Sequence, residues 1–339
     1  MKKAYLALLV VAAFFVIESQ FGIISKASEN NIFASDKQKD QAEPVKSAVY
    51  TYPDFYRGIY LNIVSAKSLE KLKGFVSESK KSNINTFVMD CQSSRYKKCI
   101  VPPENVQYCQ DNNIHCIARI VVFPEGLKTY PIPDSVIQEK LEIAESACQN
   151  GFKEIQFDYI RFNDSSRLRH LKLNDRYAFI EGFLLRAKNH LKKYNVKIAA
   201  DVFGRIPLNS SDLIGQRMEG LDKVVDVICP MAYPSHYTWS KKLQNDPYHT
   251  VYITSKKAAE RTKSAQIVTY IQAFKMKLGP NAYDDYVRYQ IKAVHDAGIK
   301  GFIFWNARQD YVVPMEVARK YYAEEAQVSS SKSKADDAI

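Results

Sequence analysis

Short apolar runs alternate with longer amphipathic stretches along most of the chain, and eight such pairs are present. The short runs are rich in β-branched and aromatic residues and are too short for helices, which indicates strands. The predicted strands are Gly58–Val64, Asn85–Asp90, His115–Val122, Glu154–Tyr159, Val196–Val202, Val225–Met231, Gln266–Ile271 and Gly301–Phe304. The amphipathic stretches predict helices at Ser68–Lys81, Pro103–Asn112, Ser135–Asn150, Asn174–Tyr194, Asp212–Leu221, Tyr248–Thr262, Asp284–Ala297 and Pro314–Ala326. Eight β-then-α units whose strands are apolar on both faces predict an α/β fold, a (β/α)8 TIM barrel.

An open doubly wound sheet is the alternative for a chain in which strands and helices alternate. Such a sheet usually has a glycine-rich turn after its first strand, but Val64-Ser65-Ala66 contains no glycine. No G-x-G-x-x-G or phosphate-loop motif occurs in the sequence. The barrel is therefore the predicted architecture, and we expect its active site at the carboxyl ends of the strands.

The N-terminal residues have the pattern of an export signal. Met1-Lys2-Lys3 is followed by the apolar run Ala4–Ile17 and then by small residues at Ser25 and Ala27. A membrane-spanning helix needs about 20 apolar residues, and this run is shorter. The sequence therefore predicts a signal peptide at residues 1–27, with an uncleaved N-terminal membrane anchor as the alternative.

Composition divides the rest of the chain into three regions. Residues 28–54 are polar and without periodicity, which predicts a flexible linker. Residues 55–326 form the barrel, and the low-complexity residues 327–339 predict a disordered tail. With the export signal, this organisation predicts a periplasmic, envelope-bound or secreted protein.

The chain is basic, with 48 Lys and Arg against 37 Asp and Glu and a net charge of +11. A basic chain favours acidic partners but does not choose among nucleic acid, anionic lipid and acidic glycan. The lysines are scattered, and no nucleic-acid-binding motif accompanies them. We therefore expect no nucleic-acid partner.

The cysteines are irregularly spaced and form no Cys-x-x-Cys pair or Cys/His ligand set, so no metal site or cofactor is predicted. Export would permit disulfides, and either Cys91–Cys99 or Cys109–Cys116 could close a short loop. Cys116 and Cys229 lie in apolar runs, as small buried side chains do. We predict at most one disulfide among Cys91, Cys99, Cys109, Cys116, Cys148 and Cys229.

Carboxylates follow the apolar residues of three predicted strands, at Asp90, Asp158 and Asp201. Because the carboxyl ends of barrel strands meet at one rim, these groups should converge in a partly desolvated site. Paired carboxylates surrounded by aromatic rings are suited to splitting a glycosidic bond. Side chains predicted to bind the sugar at this rim are Arg161, Tyr233, His236, Gln272, Trp305 and Asn306.

Arg119 interrupts the apolar residues of the third strand. A charge inside a barrel strand needs a partner, and Asp158 or Asp90 on the neighbouring strands is the natural one. Such a pair would favour the ionised form of Asp158. Arg119 is therefore also a candidate site residue.

Several motifs occur together in one order: F-D-Y-I-R-F at 157–162, A-D-V-F-G at 200–204 and P-M-A-Y-P-S-H-Y at 230–237. This set resembles a bacterial family of "putative glycoside hydrolases", long catalogued as a domain of unknown function and placed near the α-amylase-like barrels. The resemblance extends from about Arg57 to Tyr311. It implies a (β/α)8 fold and polysaccharide hydrolysis, with Asp158 as the catalytic carboxylate.

The surroundings of the two main carboxylates predict different roles for them. Asp158 lies near Arg119 and Arg161, so it should stay ionised and act as nucleophile or electrostatic stabiliser. Asp201 lies among apolar residues without a nearby cation in sequence, so its pKa should be raised and it should donate the proton. Asp90 is the alternative proton donor.

Two other functions were weighed against an exported glycoside hydrolase that acts on a polysaccharide or oligosaccharide. One is a non-catalytic glycan-binding protein on a decayed hydrolase barrel. The other is a metal-dependent polysaccharide deacetylase, which should carry two histidines about four residues apart, and no H-x-x-x-H occurs here.

Overall fold

The barrel predicted from the sequence is confirmed by the structure, a computed structural model that describes residues 50–92, 96–164, 168 and 170–336. All strand pairs are parallel, in the order β5-β4-β3-β2-β1-β9-β8-β6-β7, and pairing of β5 with β6 closes the sheet. The strands β7 and β8 occupy one position, interrupted at Val268, so the barrel is eight-stranded. The strands are β1 Tyr56–Leu61, β2 Thr86–Asp90, β3 His115–Val121, β4 Glu154–Asp158, β5 Lys197–Phe203, β6 Val227–Ala232, β7 Gln266–Ile267, β8 Thr269–Gln272 and β9 Gly301–Trp305.

Helices follow the strands and cover the outside of the barrel. They are α1 Ile63–Ala66, α2 Leu69–Ser82, α3 Pro103–Asp111, α4 Asp134–Gln149, α5 Leu173–Leu191, α6 Met218–Leu221, α7 Lys241–Asn245, α8 Pro247–Glu260, α9 Tyr283–Asp296 and α10 Val312–Asp336. Side-chain caps fix several starts: the Ser68 side chain accepts a hydrogen bond from the Lys71 backbone N–H at the start of α2. Asn83, in the left-handed conformation, ends the same helix.

Among the element boundaries that differ from the prediction, the following three differ for local reasons. The first strand ends at Leu61, because the Asn62 side chain caps α1. The helix predicted from Asp212 begins only at Met218, because Gly215 adopts a φ of 79° that a helix does not accept. The last helix continues to Asp336, within the segment predicted to be a disordered tail; residues 327–336 contain no Gly or Pro that would end it.

Two separate packing layers result from the alternation of side chains along each strand. Outward-facing residues pack against the helices in the large core, whereas Val88, Ile117, Cys229, Tyr270 and Ile303 fill the barrel interior. Residues two apart on a strand therefore lie one above the other inside the barrel. The last inward position of each strand is at the rim where the chemistry is expected.

The opposite end of the barrel interior is closed by a polar cluster around Glu154. Its carboxylate accepts a hydrogen bond from the Tyr56 hydroxyl at 2.9 Å and lies 3.0 Å from Nε2 of His115. Glu154 is 1% exposed and begins β4, so it is remote from the strand ends. Its surroundings are those of a structural residue.

All six cysteines are buried free thiols, so the structure contains no disulfide among them. The predicted signal peptide, most of the predicted linker and residues 337–339 lie outside the described residues. Among the residues that are described, no helix is both long enough and apolar enough to cross a bilayer.

Candidate active site

A cavity of about 320 Å³ opens at the carboxyl ends of the strands. Its size is that of a small-ligand site. The rim position follows from the barrel, since the last inward residue of each strand faces this opening. Seven of the ten predicted site residues line it: Arg119, Asp158, Arg161, Asp201, Tyr233, His236 and Trp305.

Arg119 connects two of the predicted carboxylates. Its Nε and Nη2 donate to Oδ2 of Asp158 at 3.0 and 2.5 Å, and its Nη1 donates to Oδ1 of Asp90 at 2.5 Å. The Tyr60 hydroxyl donates to the other Asp90 oxygen at 2.5 Å. The partners expected for Arg119 are therefore confirmed, and both are engaged at once.

Two aromatic rings cover the Arg119 guanidinium. Its central carbon lies 5.2 Å from the Trp305 ring centre and 5.5 Å from the Tyr60 ring centre. The two rings are themselves in contact, with centres 4.1 Å apart. These contacts exclude water from the ion pair, so the interaction between Arg119 and Asp158 is stronger than it would be at the surface.

Asp158 ends β4 and is 5% exposed. Besides the two Arg119 contacts to Oδ2, its Oδ1 accepts the backbone N–H of Tyr159 at 2.6 Å. Tyr159 adopts a φ of 55°, which turns the chain sharply after the strand. The carboxylate is thereby fixed on both oxygens, with its face towards the cavity.

Asp201 is held differently, although it is also buried, at 2% exposed. Oδ1 accepts a hydrogen bond from Nε2 of Gln156, whose Oε1 accepts one from the Tyr270 hydroxyl at 3.2 Å. In the part of the chain that the structure describes, Asp201 has no cationic partner within salt-bridge distance. Burial raises the pKa of Asp201 well above its usual range, and the nearby Asp158 raises it further, while Arg119 and Gln156 oppose this. The predicted rise in the pKa of Asp201 is confirmed.

This raised pKa predicts how Asp201 affects stability. A carboxyl whose pKa is higher in the folded state contributes stability below its unfolded pKa of about 3.9, and that contribution is lost as pH rises through the folded pKa. Asp201→Asn removes the titration and keeps an acceptor for Gln156. We therefore expect the Tm of Asp201→Asn, relative to wild type, to rise between about pH 4 and pH 8, ending about 2 °C or more higher.

Thermal denaturation across this pH range measures the effect. The control is Asp134→Asn, because Asp134 is exposed and paired with Arg186, which lowers its pKa. The control should show no such rise with pH. A constant Tm difference for Asp201→Asn would mean that Asp201 titrates normally.

Tyr233 and His236 line the cavity from the loop that follows β6. Their rings meet edge to face with centres 5.4 Å apart, and Phe274 packs against Tyr233 at 5.8 Å. Burial lowers the pKa of His236, and the charge of Lys277 lowers it further. His236 is thus a neutral imidazole at pH 7, suited to hydrogen bonding with hydroxyl groups.

Three predicted site residues do not line the cavity. Asp90 points to Arg119 and Tyr60 beside it. The Gln272 amide is saturated by the protein: Oε1 accepts from the Ser235 backbone and the Tyr286 hydroxyl, and Nε2 donates to two carbonyls.

Asn306 is likewise engaged by loop backbone, through the carbonyls of Ala273 and Asp310 and the N–H of Arg308. Gln272 and Asn306 therefore do not line the cavity, and sugar contact by them stays a prediction. A polar residue at the end of a strand can hold the following loop instead of facing the opening.

Several residues that line the cavity or hold its carboxylates were missed from the sequence. Gln156 precedes Asp158 by two positions, and that spacing alone places it on the same inward face of β4. Phe203 and Arg205 follow Asp201 by two and four positions and line the cavity. Trp239 lies in the loop after β6 and is 60% exposed at the rim. Side chains alternate along a strand, so the spacing from Asp158 could have identified Gln156 as an inward-facing residue. The alternation says nothing about where a tryptophan in a loop lies.

A family profile matches the chain. Residues 127–311, more than half of the sequence, match the family described as "Putative glycosyl hydrolase domain". This range includes both main carboxylates and the loop after β6. No match is found among curated protein sequences.

The barrel is similar to solved glycoside hydrolase structures at low sequence identity. The glycoside hydrolase domain of PgaB (BpsB) from Bordetella bronchiseptica aligns with a TM-score of 0.60 and 10% identity, over 79% of this chain and 98% of that one. Endo-1,4-β-mannanase from Rhizomucor miehei gives 0.55 and 11%, over 81% and 97%. The spore cortex-lytic enzyme SleL of Bacillus megaterium gives 0.52 and 11%, over 80% and 75%. At these identities the likeness shows the shared fold.

Proposed function

Because the chain belongs to the family described as "Putative glycosyl hydrolase domain", we propose that it is an exported enzyme that hydrolyses a polysaccharide or oligosaccharide with Asp158 and Asp201. The observation that carries this proposal is one cavity that holds two buried carboxyl groups in unlike surroundings. Asp158 is ion-paired with Arg119, whereas Asp201 accepts only from a neutral amide. Unlike surroundings divide paired carboxyls into charged and protonated roles.

In the proposed reaction Asp201 donates its proton to the glycosidic oxygen as the bond to the leaving sugar breaks. Asp158 faces the positive charge that develops at the anomeric carbon, as nucleophile or as electrostatic stabiliser. Water then adds its oxygen to the anomeric carbon and gives one proton back to Asp201, which completes the hydrolysis. The two Arg119 donors and the Tyr159 N–H hold the Asp158 carboxylate in place before the substrate arrives. This preorganisation means that little rearrangement is needed during the reaction.

Aromatic rings would supply the sugar platform. Trp305 forms part of the cavity wall beside Arg119, and Trp239 exposes most of its ring at the rim. The Trp239 ring also packs against Tyr237, with ring centres 5.0 Å apart. Ring faces of this kind stack on the apolar faces of sugars, so we place one sugar against each tryptophan.

Export is proposed from the sequence pattern of residues 1–27, a basic start followed by a short apolar run. An exported hydrolase would meet polysaccharides of the cell envelope or of the surroundings. The mature N-terminus of the protein recovered from cell fractions tests this part: cleavage near Ser28 supports it, and retention of residues 1–27 in membranes supports the anchor.

Release of new reducing ends from a panel of bacterial polysaccharides tests the proposed activity. The wild type should release them from at least one polysaccharide. The double variant Asp158→Asn/Asp201→Asn, purified in parallel, should not, which excludes a contaminating hydrolase. If the wild type binds a polysaccharide yet releases no reducing ends, the chain is a glycan-binding protein rather than an enzyme.

A further inference from the structure

Arg161 lines the same cavity as the two carboxyl groups, but it has no carboxylate partner within salt-bridge distance among the residues that the structure describes. Its side chain is buried, with 9% of the residue exposed. Nη1 donates to the carbonyl of Phe162 at 3.1 Å, and Nε is a buried donor with no acceptor in the described part of the chain. A buried cation that lacks a counter-charge destabilises the fold unless something else satisfies it.

The other two arginines of the cavity are neutralised. Arg119 is paired with Asp158 and Asp90, and Arg205 is paired with Asp212 at 2.7 Å and with Asp164 at 2.9 Å. The charges of Asp164 and Asp158 act on Arg161 only from beyond salt-bridge distance. In the described chain it is the one cavity arginine without a carboxylate partner, and its Nε is a buried donor that no acceptor satisfies.

Arg161 and Arg205 both lie against the Phe203 ring, with guanidinium carbons 4.5 and 4.8 Å from its centre. Two like charges that share one ring repel each other, and an anion bound beside them would relieve that repulsion. Burial lowers the pKa of Arg161, and the charge of Arg205 acts in the same direction. The environment of Arg161 therefore favours the binding of an anionic ligand.

The loop after β3 fixes Arg161 in this position. The Leu127 N–H donates to the Arg161 carbonyl, and the Asn163 N–H donates to the Leu127 carbonyl, both at 2.9 Å. Gly126 adopts a φ of 82°, and a Cβ there would lie 2.8 Å from Nη1 of Arg161. The glycine lets the backbone pass directly over the guanidinium, so the charge is held by a built site rather than by a free side chain.

We propose that Arg161 binds an anionic substituent of the glycan, the carboxylate of a uronic acid or a sulfate ester, so that the substrate is an acidic polysaccharide. Carboxylate and sulfate oxygens are acceptors that fit the planar donors of arginine. This inference names the substrate class. That the ligand is a glycan rests on the proposed function. Arg161 is then a specificity-determining residue that touches the substrate.

The two tryptophans of the chain, Trp239 and Trp305, both line this cavity, so their fluorescence reports its occupancy. The ligands are glucuronate, galacturonate and glucose 6-sulfate, with glucose and the methyl ester of glucuronic acid as neutral counterparts. We expect at least one anionic sugar to bind wild type about 10–100-fold more tightly than its neutral counterpart, which is the effect of a charge-assisted hydrogen bond. Whether uronate or sulfate is preferred identifies the substituent.

Arg161→Gln should abolish this preference, and Arg161→Lys should keep part of it. The matched control is Arg186→Gln, because Arg186 is exposed and paired with Asp134 on the outer surface; it should retain the full preference. Equal binding of acidic and neutral sugars by wild type, or no binding at all, would overturn the proposal even if a variant fails to fold. Since a monosaccharide has no glycosidic bond to cleave, this result is independent of whether the protein is a hydrolase.

Discussion

Asp158→Asn is expected to lower kcat/KM on the cleaved polysaccharide by about 1,000-fold or more, while the Kd for that polysaccharide changes by less than about tenfold. Asparagine keeps the shape of the side chain, and its single carbonyl oxygen can still accept from either Arg119 or the Tyr159 N–H. It lacks the negative charge that opposes the developing positive charge of the transition state. Turnover should therefore be lost, and ground-state binding should remain.

Initial rates of reducing-end release and calorimetric binding measure the two quantities on the same preparations. Asp134→Asn is the matched control, since it makes the same change at an exposed position far from the cavity. Its kcat/KM should equal that of wild type. Turnover by Asp158→Asn within about tenfold of wild type would remove Asp158 from the chemistry.

Arg119→Met is expected to lower the free energy of unfolding by about 3–5 kcal/mol at pH 7, the usual consequence of removing one partner from a buried ion pair. Methionine retains much of the volume but leaves Asp158 without its counter-charge and Asp90 with only the Tyr60 hydroxyl. The loss should shrink as pH is lowered, because protonated carboxyls no longer need the cation.

Urea unfolding at several pH values measures this loss. Arg186→Met breaks a single exposed pair with Asp134 and should change stability by less than about 1 kcal/mol. If Arg119→Met is no more destabilising than this control, Arg119 does not hold a buried pair. The position of the third strand, which places Arg119 inside the barrel, would then be wrong.

The fold could be predicted because its signal is repeated. Each unit consists of a short apolar run and an amphipathic helix, so errors at single boundaries such as Leu61 or Met218 leave the eightfold pattern intact. Parallel strands buried on both faces also fit an open doubly wound sheet, and the lack of a glycine-rich turn after the first strand favoured the barrel. The ends of elements depend on local caps and left-handed residues, and the pattern does not specify these.

The cavity could be predicted only in part. Asp158, Arg119 and Asp201 were found because each breaks an apolar strand, and a charge in such a place must face the interior or a partner. Gln272 and Asn306 also follow apolar strands, yet their side chains hold the loop backbone. The order of residues does not distinguish a side chain that faces the cavity from a side chain that hydrogen-bonds the following loop.

The raised pKa of Asp201 was predicted from its apolar neighbours in sequence, and burial is indeed its largest cause. The missing partner of Arg161 could not be predicted, because the sequence places Asp158 only three residues away. The turn at Tyr159 and the loop around Gly126 direct Arg161 towards Phe203 instead. Pairing between charges that are close in sequence is decided by backbone direction, which appears only in the folded chain.

The division of roles between Asp158 and Asp201 is tested most directly by the dependence of kcat/KM on the leaving group of aryl glycosides. For Asp201→Ala we expect a loss of about 100–10,000-fold with poor leaving groups and less than about tenfold with good ones, since these need no proton. Asp158→Ala should lose activity on both. Equal losses on both substrates for both variants would contradict the assignment of Asp201 as proton donor, and the reverse pattern would exchange the two roles.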